Sequence, residues 1–244
     1  MRHAPETDLA SAARPPVLIG CSHGTDSQAG RATVRAILAD VRRTRPDLDV
    51  REAFVDLQQP AVGDAVREAT RGPGSAVVVP LLMSTGFHVG VDIAAAVAGR
   101  RATSADTLGP DDRLVRILVD RLEAAGAHPG DAIVCAAAGS TDPRAAAAVE
   151  RVVEGLRAAW PVGPVTVGYG SAAVPRVADA VSEARRAGAE RVVVASYLLA
   201  PGFFHDRLRE SGADVVTEPL APDPLLVAIV LDRYAEAAAL IATV

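Results

Sequence analysis

Two of the five histidines in this chain of 244 residues each follow a short apolar run that ends in small residues. Val17-Leu18-Ile19-Gly20-Cys21 leads to Ser22-His23-Gly24-Thr25-Asp26, and Val77-Val78-Val79-Pro80-Leu81-Leu82 leads to Met83-Ser84-Thr85-Gly86-Phe87-His88. Such runs read as buried parallel strands. In open α/β sheets, ligands occupy the crevice beyond the carboxyl ends of the strands. If these are strands one and three of one doubly wound sheet, both imidazoles face one crevice. Neutral imidazole suits divalent iron, cobalt, nickel and zinc. The carboxylate of Asp56, at the end of the intervening strand, would complete or orient such a site. Imidazole also accepts protons near neutral pH. The chain has no His-x-x-x-His and no Cys-x-x-Cys, which argues against a closed structural zinc site. Two or three ligands on an open crevice hold a metal weakly, which suits transfer better than storage.

Each of these residues has a plainer reading. A histidine at a strand end is often a hydrogen-bonded loop residue, and Asp56 would cap the following turn. Gly24 and Gly86 would permit tight strand-to-helix turns. Phe87, Phe203 and Phe204 would ordinarily be core. Beside a crevice, in a chain with four phenylalanines, they suit contact with a flat apolar ligand. His205 is expected on the cleft wall rather than on the metal. Gly-x-Gly-x-x-Gly and Walker A loops are absent, so no nucleotide is expected. Ser22 and Ser84 lack a nucleophile-elbow pattern, which speaks against acyl transfer.

The elements that would position these residues alternate as strand and helix throughout. Strands are expected at 17–22, 50–55, 76–82 and 102–108, and helices at 28–45, 61–70, 90–100 and 111–125. Residues 126–130 read as an interdomain turn containing His128. The order then repeats, with strands at 132–137, 165–169, 191–198 and 215–218 and helices at 143–159, 174–187, 203–210 and 224–241. A gap-free shift of 115 carries Gly24 onto Gly139, Pro60 onto Pro175 and Val77-Val78-Val79 onto Val192-Val193-Val194. Leu108-Gly109-Pro110-Asp111 matches Leu220-Ala221-Pro222-Asp223 at a shift of 112. The fold class is therefore α/β: two tandem domains of one fold, each a small parallel sheet flanked by helices, facing each other across a cleft. Residues 16–128 form the N-terminal domain and 129–244 a degenerate copy that supplies the facing wall. At the same shift His23 falls on Ala138, His88 on Phe203 and Asp56 on Ser171, so the polar candidates are confined to the first copy.

Composition narrows the class. A net charge of −5 argues against nucleic acid as a partner, since phosphate neutralisation needs a basic surface. Lysine is absent, and the arginines are available for carboxylates. Cys21 and Cys135 fall inside predicted strands and read as buried reduced thiols. Residues 1–15, with His3, read as a disordered tail without the apolar segment of a secretory signal. No stretch has the length of a membrane span, so a cytoplasmic location without membrane association is expected. The cleft forms within one chain, so either a monomer or a homodimer is compatible with the pattern.

At these residues the chain resembles the sirohydrochlorin chelatase family. The resemblance rests on Ser22-His23-Gly24-Thr25, on Ala53-Phe54-Val55-Asp56-Leu57 with Pro60, and on Val79-Pro80-Leu81-Leu82 leading to Gly86-Phe87-His88-Val89. Asp92-Ile93, Leu108-Gly109-Pro110-Asp111 and the second copy's Ala200-Pro201-Gly202-Phe203-Phe204 extend it over nearly the whole chain after the tail. It implies insertion of Fe2+ or Co2+, with Ni2+ as a further candidate, into the tetrapyrrole sirohydrochlorin without nucleotide hydrolysis. It also implies that His23 and His88 bind the metal or take pyrrole protons, and that Asp56 stands where the family usually has glutamate. Ser22, Gly24, Ser84, Thr85, Gly86, Phe87, Phe203, Phe204, His205 and Arg207 would contact the macrocycle, Arg207 and Arg209 through its carboxylates. The family's usual Gly-His-Gly-Ser-Arg is here Ser22-His23-Gly24-Thr25-Asp26, without the arginine. A rival from another class is a non-catalytic metal or tetrapyrrole carrier using the same crevice.

Overall fold

The computed structural model describes residues 14–84 and 86–241, except for the side chains of Phe87, His88 and Val89. All but the last two residues of the expected tail, and Thr85, lie outside the described residues. Strand and helix alternate as the sequence predicts: β1 (Val17–Ser22), α1 (Gln28–Thr44), β2 (Val50–Phe54), α2 (Val62–Ala69), β3 (Ala76–Pro80), α3 (Phe87–Val97), β4 (Ala102–Ser104) and α4 (Asp112–Ala124). The second copy runs β5 (Ala132–Ala137), α5 (Pro143–Ala159), β6 (Val165–Tyr169), α6 (Val177–Arg186), β7 (Val192–Tyr197), α7 (Phe203–Arg209), β8 (Val215–Val216) and α8 (Pro224–Ile241).

The strands form two parallel sheets, ordered β2-β1-β3-β4 and β6-β5-β7-β8. β3, β5 and β7 are buried along their whole length, as strands covered on both faces must be, which is why they read as unbroken apolar runs. The edge strands β4 and β8 are the short ones, which limits the unpaired backbone each exposes. In each sheet the chain leaves the central strand toward one side and returns on the other. The reversal puts a crevice at the carboxyl ends of β1 and β3, and another at β5 and β7.

Helix starts follow local chemistry. Ser27 Oγ accepts from Gly30 N at 3.2 Å and caps α1, whose Val34, Ile37, Leu38 and Val41 form its buried stripe. Asp111 and Asp142 cap α4 and α5 in the same way. α3 starts at Phe87, not at the predicted residue 90, because extended Gly86 serves as its N-cap. His88 is thus the second residue of a helix rather than a loop residue ahead of it.

Register corrects the gap-free alignment. Leu18 pairs with Val50 and Ile133 with Val165, which keeps the shift of 115. Val17 pairs with Ala76, however, while Ala132 pairs with Val192, so β3 maps onto β7 at 116. Two backbone bonds agree: Leu108 N donates to Leu82 O at 3.0 Å, and Leu220 N to Leu198 O at 2.9 Å. The extra residue comes from α6, which has 10 residues against the 8 of α2, while the connection that follows it is one residue shorter. A run of valines matches itself when slid by one position, and only the hydrogen-bond ladder tells the two registers apart. His88 therefore corresponds to Phe204, not Phe203, and Val89 corresponds to His205.

Packing also revises the domain picture. α4 packs on α5 and β7 of the second sheet, whereas α8 packs on β3, β4 and α1 of the first. Each closing helix has changed sides. Arginines tie the exchange together: Arg113 Nη1 donates to Asp232 at 2.6 Å, and Arg121 donates to the carbonyls of Pro219, Leu220 and Pro222. One buried apolar cluster consequently runs through both copies, joining Leu18, Leu118, Ile133, Leu156 and Ile229. Two smaller clusters fill the outer layers, one under α2 and α3 and one under α6 and α7. The turn at 126–130, expected to separate two domains, joins α4 to β5 within one spatial lobe.

Candidate active site

A cavity of about 780 Å³ opens between the lobes at the carboxyl ends of β1, β3, β5 and β7. The first copy lines it with Ser22–Ser27, Gly30, Leu81–Ser84 and Gly86. The second lines it with Ala137–Ser140, Tyr169, Tyr197 and Leu198–Phe204. Among the described residues, His23 contributes the only imidazole of this wall and Asp26 its only carboxylate, and no arginine lines it. Most of the remaining wall is apolar, and the volume is within the ~300–1,000 Å³ of small-molecule sites.

His23 sits just past β1 with its side chain exposed. The end of β2 holds its backbone: Val55 N donates to Ser22 O at 3.0 Å and Asp56 N to His23 O at 3.1 Å. Gly24 makes this approach possible, since its φ is +96° and a Cβ there would lie 2.6 Å from Asp56 O. Gln58 Oε1 accepts from Thr25 N at 3.0 Å and fixes the next residue. The loop is built around glycine so that an imidazole can stand at the lip of the crevice.

Asp56 does not form part of the cavity wall. Its exposed carboxylate accepts from Leu57 N at 2.8 Å, in a turn where Leu57 has φ +51°. Through Oδ1 it caps that turn, the plainer of its two expected roles. Among the described residues, no group of three or more His, Cys, Asp or Glu side chains is placed to hold a metal. The side chains of Phe87 and His88 lie outside the described residues, as does Thr85, so their expected contacts are not placed. The backbone does place position 88: α3 follows β3, β3 neighbours β1, and Leu81 N donates to Cys21 O at 2.7 Å. Ser22, Gly24, Ser84 and Gly86 line the cavity.

On the facing wall, Phe203 and Phe204 pack edge to face with centroids 5.5 Å apart, and both line the cavity. Phe203 is 66% exposed. The Arg207 guanidinium lies 5.6 Å from the centre of the Phe203 ring, a cation–π contact outside the wall. Arg209 instead faces Glu218 at 3.4 Å. His205 is not on the wall. It is 1% exposed and donates from Nε2 to Thr217 O at 3.0 Å. The helical period explains the correction: His205 and Leu208 turn to the sheet, while Phe203 and Phe204 turn to the cleft. Tyr169 and Tyr197 were missed because aromatic residues ending apolar strands read as core; Ser140, in the loop after β5, carried no signal of its own.

The lobes touch closely at one end of the cleft. A Cβ on Gly30 would lie 2.6 Å from Pro201 O, a backbone atom that cannot swing aside. Gly30→Ala is therefore expected to destabilise the fold by about 1–3 kcal/mol, outweighing the ~1 kcal/mol that alanine gains in a helix. Gly63→Ala, whose Cβ would meet nothing within 4 Å, is expected to stabilise it by about 0.5–1 kcal/mol. Paired urea unfolding curves check both signs.

A family model described as CbiX matches residues 17–125 and again 132–237. A sirohydrochlorin ferrochelatase of Priestia megaterium is 25% identical over 194 residues, covering 74% of this chain and 73% of that protein. A sirohydrochlorin cobaltochelatase of Sulfurisphaera tokodaii is 32% identical over 78 residues, covering 30% of this chain and 65% of that protein. Among solved structures, SirB from Bacillus subtilis with Fe3+ superposes with a TM-score of 0.76 at 20% identity, covering 92% of this chain and 96% of that one. A structure of CbiX, described as the terminal enzyme for biosynthesis of siroheme in denitrifying bacteria, gives 0.66 at 23% identity, covering 91% and 99%. These likenesses extend to the two-lobed architecture.

Proposed function

We propose that this chain, which belongs to the CbiX family, inserts a divalent iron or cobalt ion into sirohydrochlorin. The observation that carries this reading is the apolar cavity of about 780 Å³ between the lobes, with His23 at its lip and two phenylalanines opposite. A flat macrocycle slots between such walls. Because no arginine among the described residues lines the interior, its carboxylates stay at the mouth, where the Arg207 guanidinium is available to them.

Insertion replaces two pyrrole N–H protons with one divalent metal ion, and two protons must leave. An imidazole serves either half of that exchange, as a weak metal ligand or as a proton acceptor. We assign these tasks to His23 and to His88, the latter from its backbone position in the first turn of α3. Asp56, whose N–H donates to His23 O and whose Oδ1 caps its own turn, is kept as the carboxylate beside them. An apolar cleft holds the ring away from bulk water without binding the ion tightly, which keeps delivery downhill toward the macrocycle.

Incubation of the purified chain with sirohydrochlorin and Fe2+ or Co2+ under exclusion of oxygen tests this reading by absorption spectroscopy. The expected result is metallation well above the spontaneous rate. Tight binding with no acceleration would replace the enzyme with a carrier, and neither binding nor acceleration would remove both.

A further inference from the structure

We propose that Tyr197 is a positioning residue for metal insertion: from the second copy, its hydroxyl holds the Met83 carbonyl in the connection that leads to the helix of His88. This rests on the function proposed above. Tyr197 ends β7 and is 1% exposed, and its hydroxyl donates to Met83 O at 3.3 Å across the lobe boundary. Its counterpart in the first copy is Leu81, which has nothing to donate.

The two copies treat the same carbonyl differently. In the second copy Leu199 O, the counterpart of Met83 O, accepts from Ala221 N at 3.0 Å within its own lobe. In the first copy that acceptor receives the tyrosine hydroxyl, and Gly109 stands where the second copy has Ala221. A Cβ on Gly109 would lie 2.1 Å from the Tyr197 hydroxyl oxygen and 2.4 Å from Met83 O. The glycine is thus the space the hydroxyl occupies. Burial pushes the phenol up from its ordinary value, so it remains a donor through the neutral and moderately alkaline range. The copy without the two histidines supplies the group that orders the connection in the copy that has them.

Tyr197→Phe removes the donor and keeps the ring, and Gly109→Ala displaces the donor from the other side. Both are expected to speed amide exchange at least about fivefold in residues 82–90 while leaving β5 and β6 unchanged. In insertion assays kcat is expected to fall about tenfold with KM for sirohydrochlorin within about twofold, the pattern of lost orientation rather than lost binding. Ala221→Gly, at the mirror position, is expected to change neither. Unchanged exchange in Tyr197→Phe would overturn the proposal, and so would a raised KM at constant kcat, which would make the ring only a piece of wall. Were the wild type inactive on sirohydrochlorin, the proposed function would fall on its own. Exchange and Co2+ titration calorimetry would then still decide whether Tyr197 orders the connection: faster exchange with weaker Co2+ binding in Tyr197→Phe upholds it, and two unchanged readings reject it.

Discussion

His23→Ala is expected to slow metal insertion by about 10²–10³-fold, the range for losing a positioned acid–base group. The mechanism is local. The imidazole is exposed at the cavity lip, and its backbone is held by Val55 and Asp56 through bonds that alanine retains. Stability should therefore stay within about 0.5 kcal/mol of the parent, as for other exposed substitutions. KM for sirohydrochlorin should change little, because the apolar walls are untouched. Steady-state kinetics beside a thermal melt would check all three, and full activity in His23→Ala would end the assignment of chemistry to this residue.

Raising the pH from 8 to 12 is expected to remove about 4 kcal/mol of stability for each of two buried thiols. Cys21 and Cys135 are both inaccessible, and burial pushes each from the ordinary 9.0 up to about 12. Between those values the unfolded chain has released its thiol protons and the folded chain has not, so stability falls as pH rises. It is complete below about pH 9.0 and is lost by about 12. Three units at about 1.4 kcal/mol each give the magnitude. Burial raises the Tyr169, Tyr197 and Tyr234 phenols as well, and they act in the same direction at higher pH. Comparing urea unfolding of the parent with Cys21→Ala and Cys135→Ala between pH 9 and 10 isolates the thiols. A slope against pH that both variants retain would show that they do not titrate as buried groups.

Much of this fold was legible before any coordinates. Strands buried on both faces must be apolar throughout, and helices must carry a stripe, so the alternation and the repeat could be read from residue types alone. What escaped was information that apolar letters do not carry. Val77-Val78-Val79 matches three valines at a shift of 115 and two at 116, so identity alone favoured the wrong register and moved His88 off Phe204. The exchange of α4 and α8 was invisible because a helix with an apolar face suits either sheet. The place of His23 on the cavity wall was legible from its position after a strand and before a glycine. His205 was assigned by proximity in sequence, yet its imidazole points into the sheet. Tyr197 was missed because its role lies in a hydroxyl that reaches the other lobe.

The exchanged closing helices have a mechanical consequence. The chain crosses from one lobe to the other at Ala105–Asp111 and crosses back at Thr217–Asp223, the segments that carry the repeated Leu-x-Pro-Asp. Two straps permit a hinge motion about the line joining them and resist twisting and sliding. The mouth can then gape and shut like a clamshell, its two walls swinging about one axis, which is the motion that would admit a disc-shaped guest edge-on.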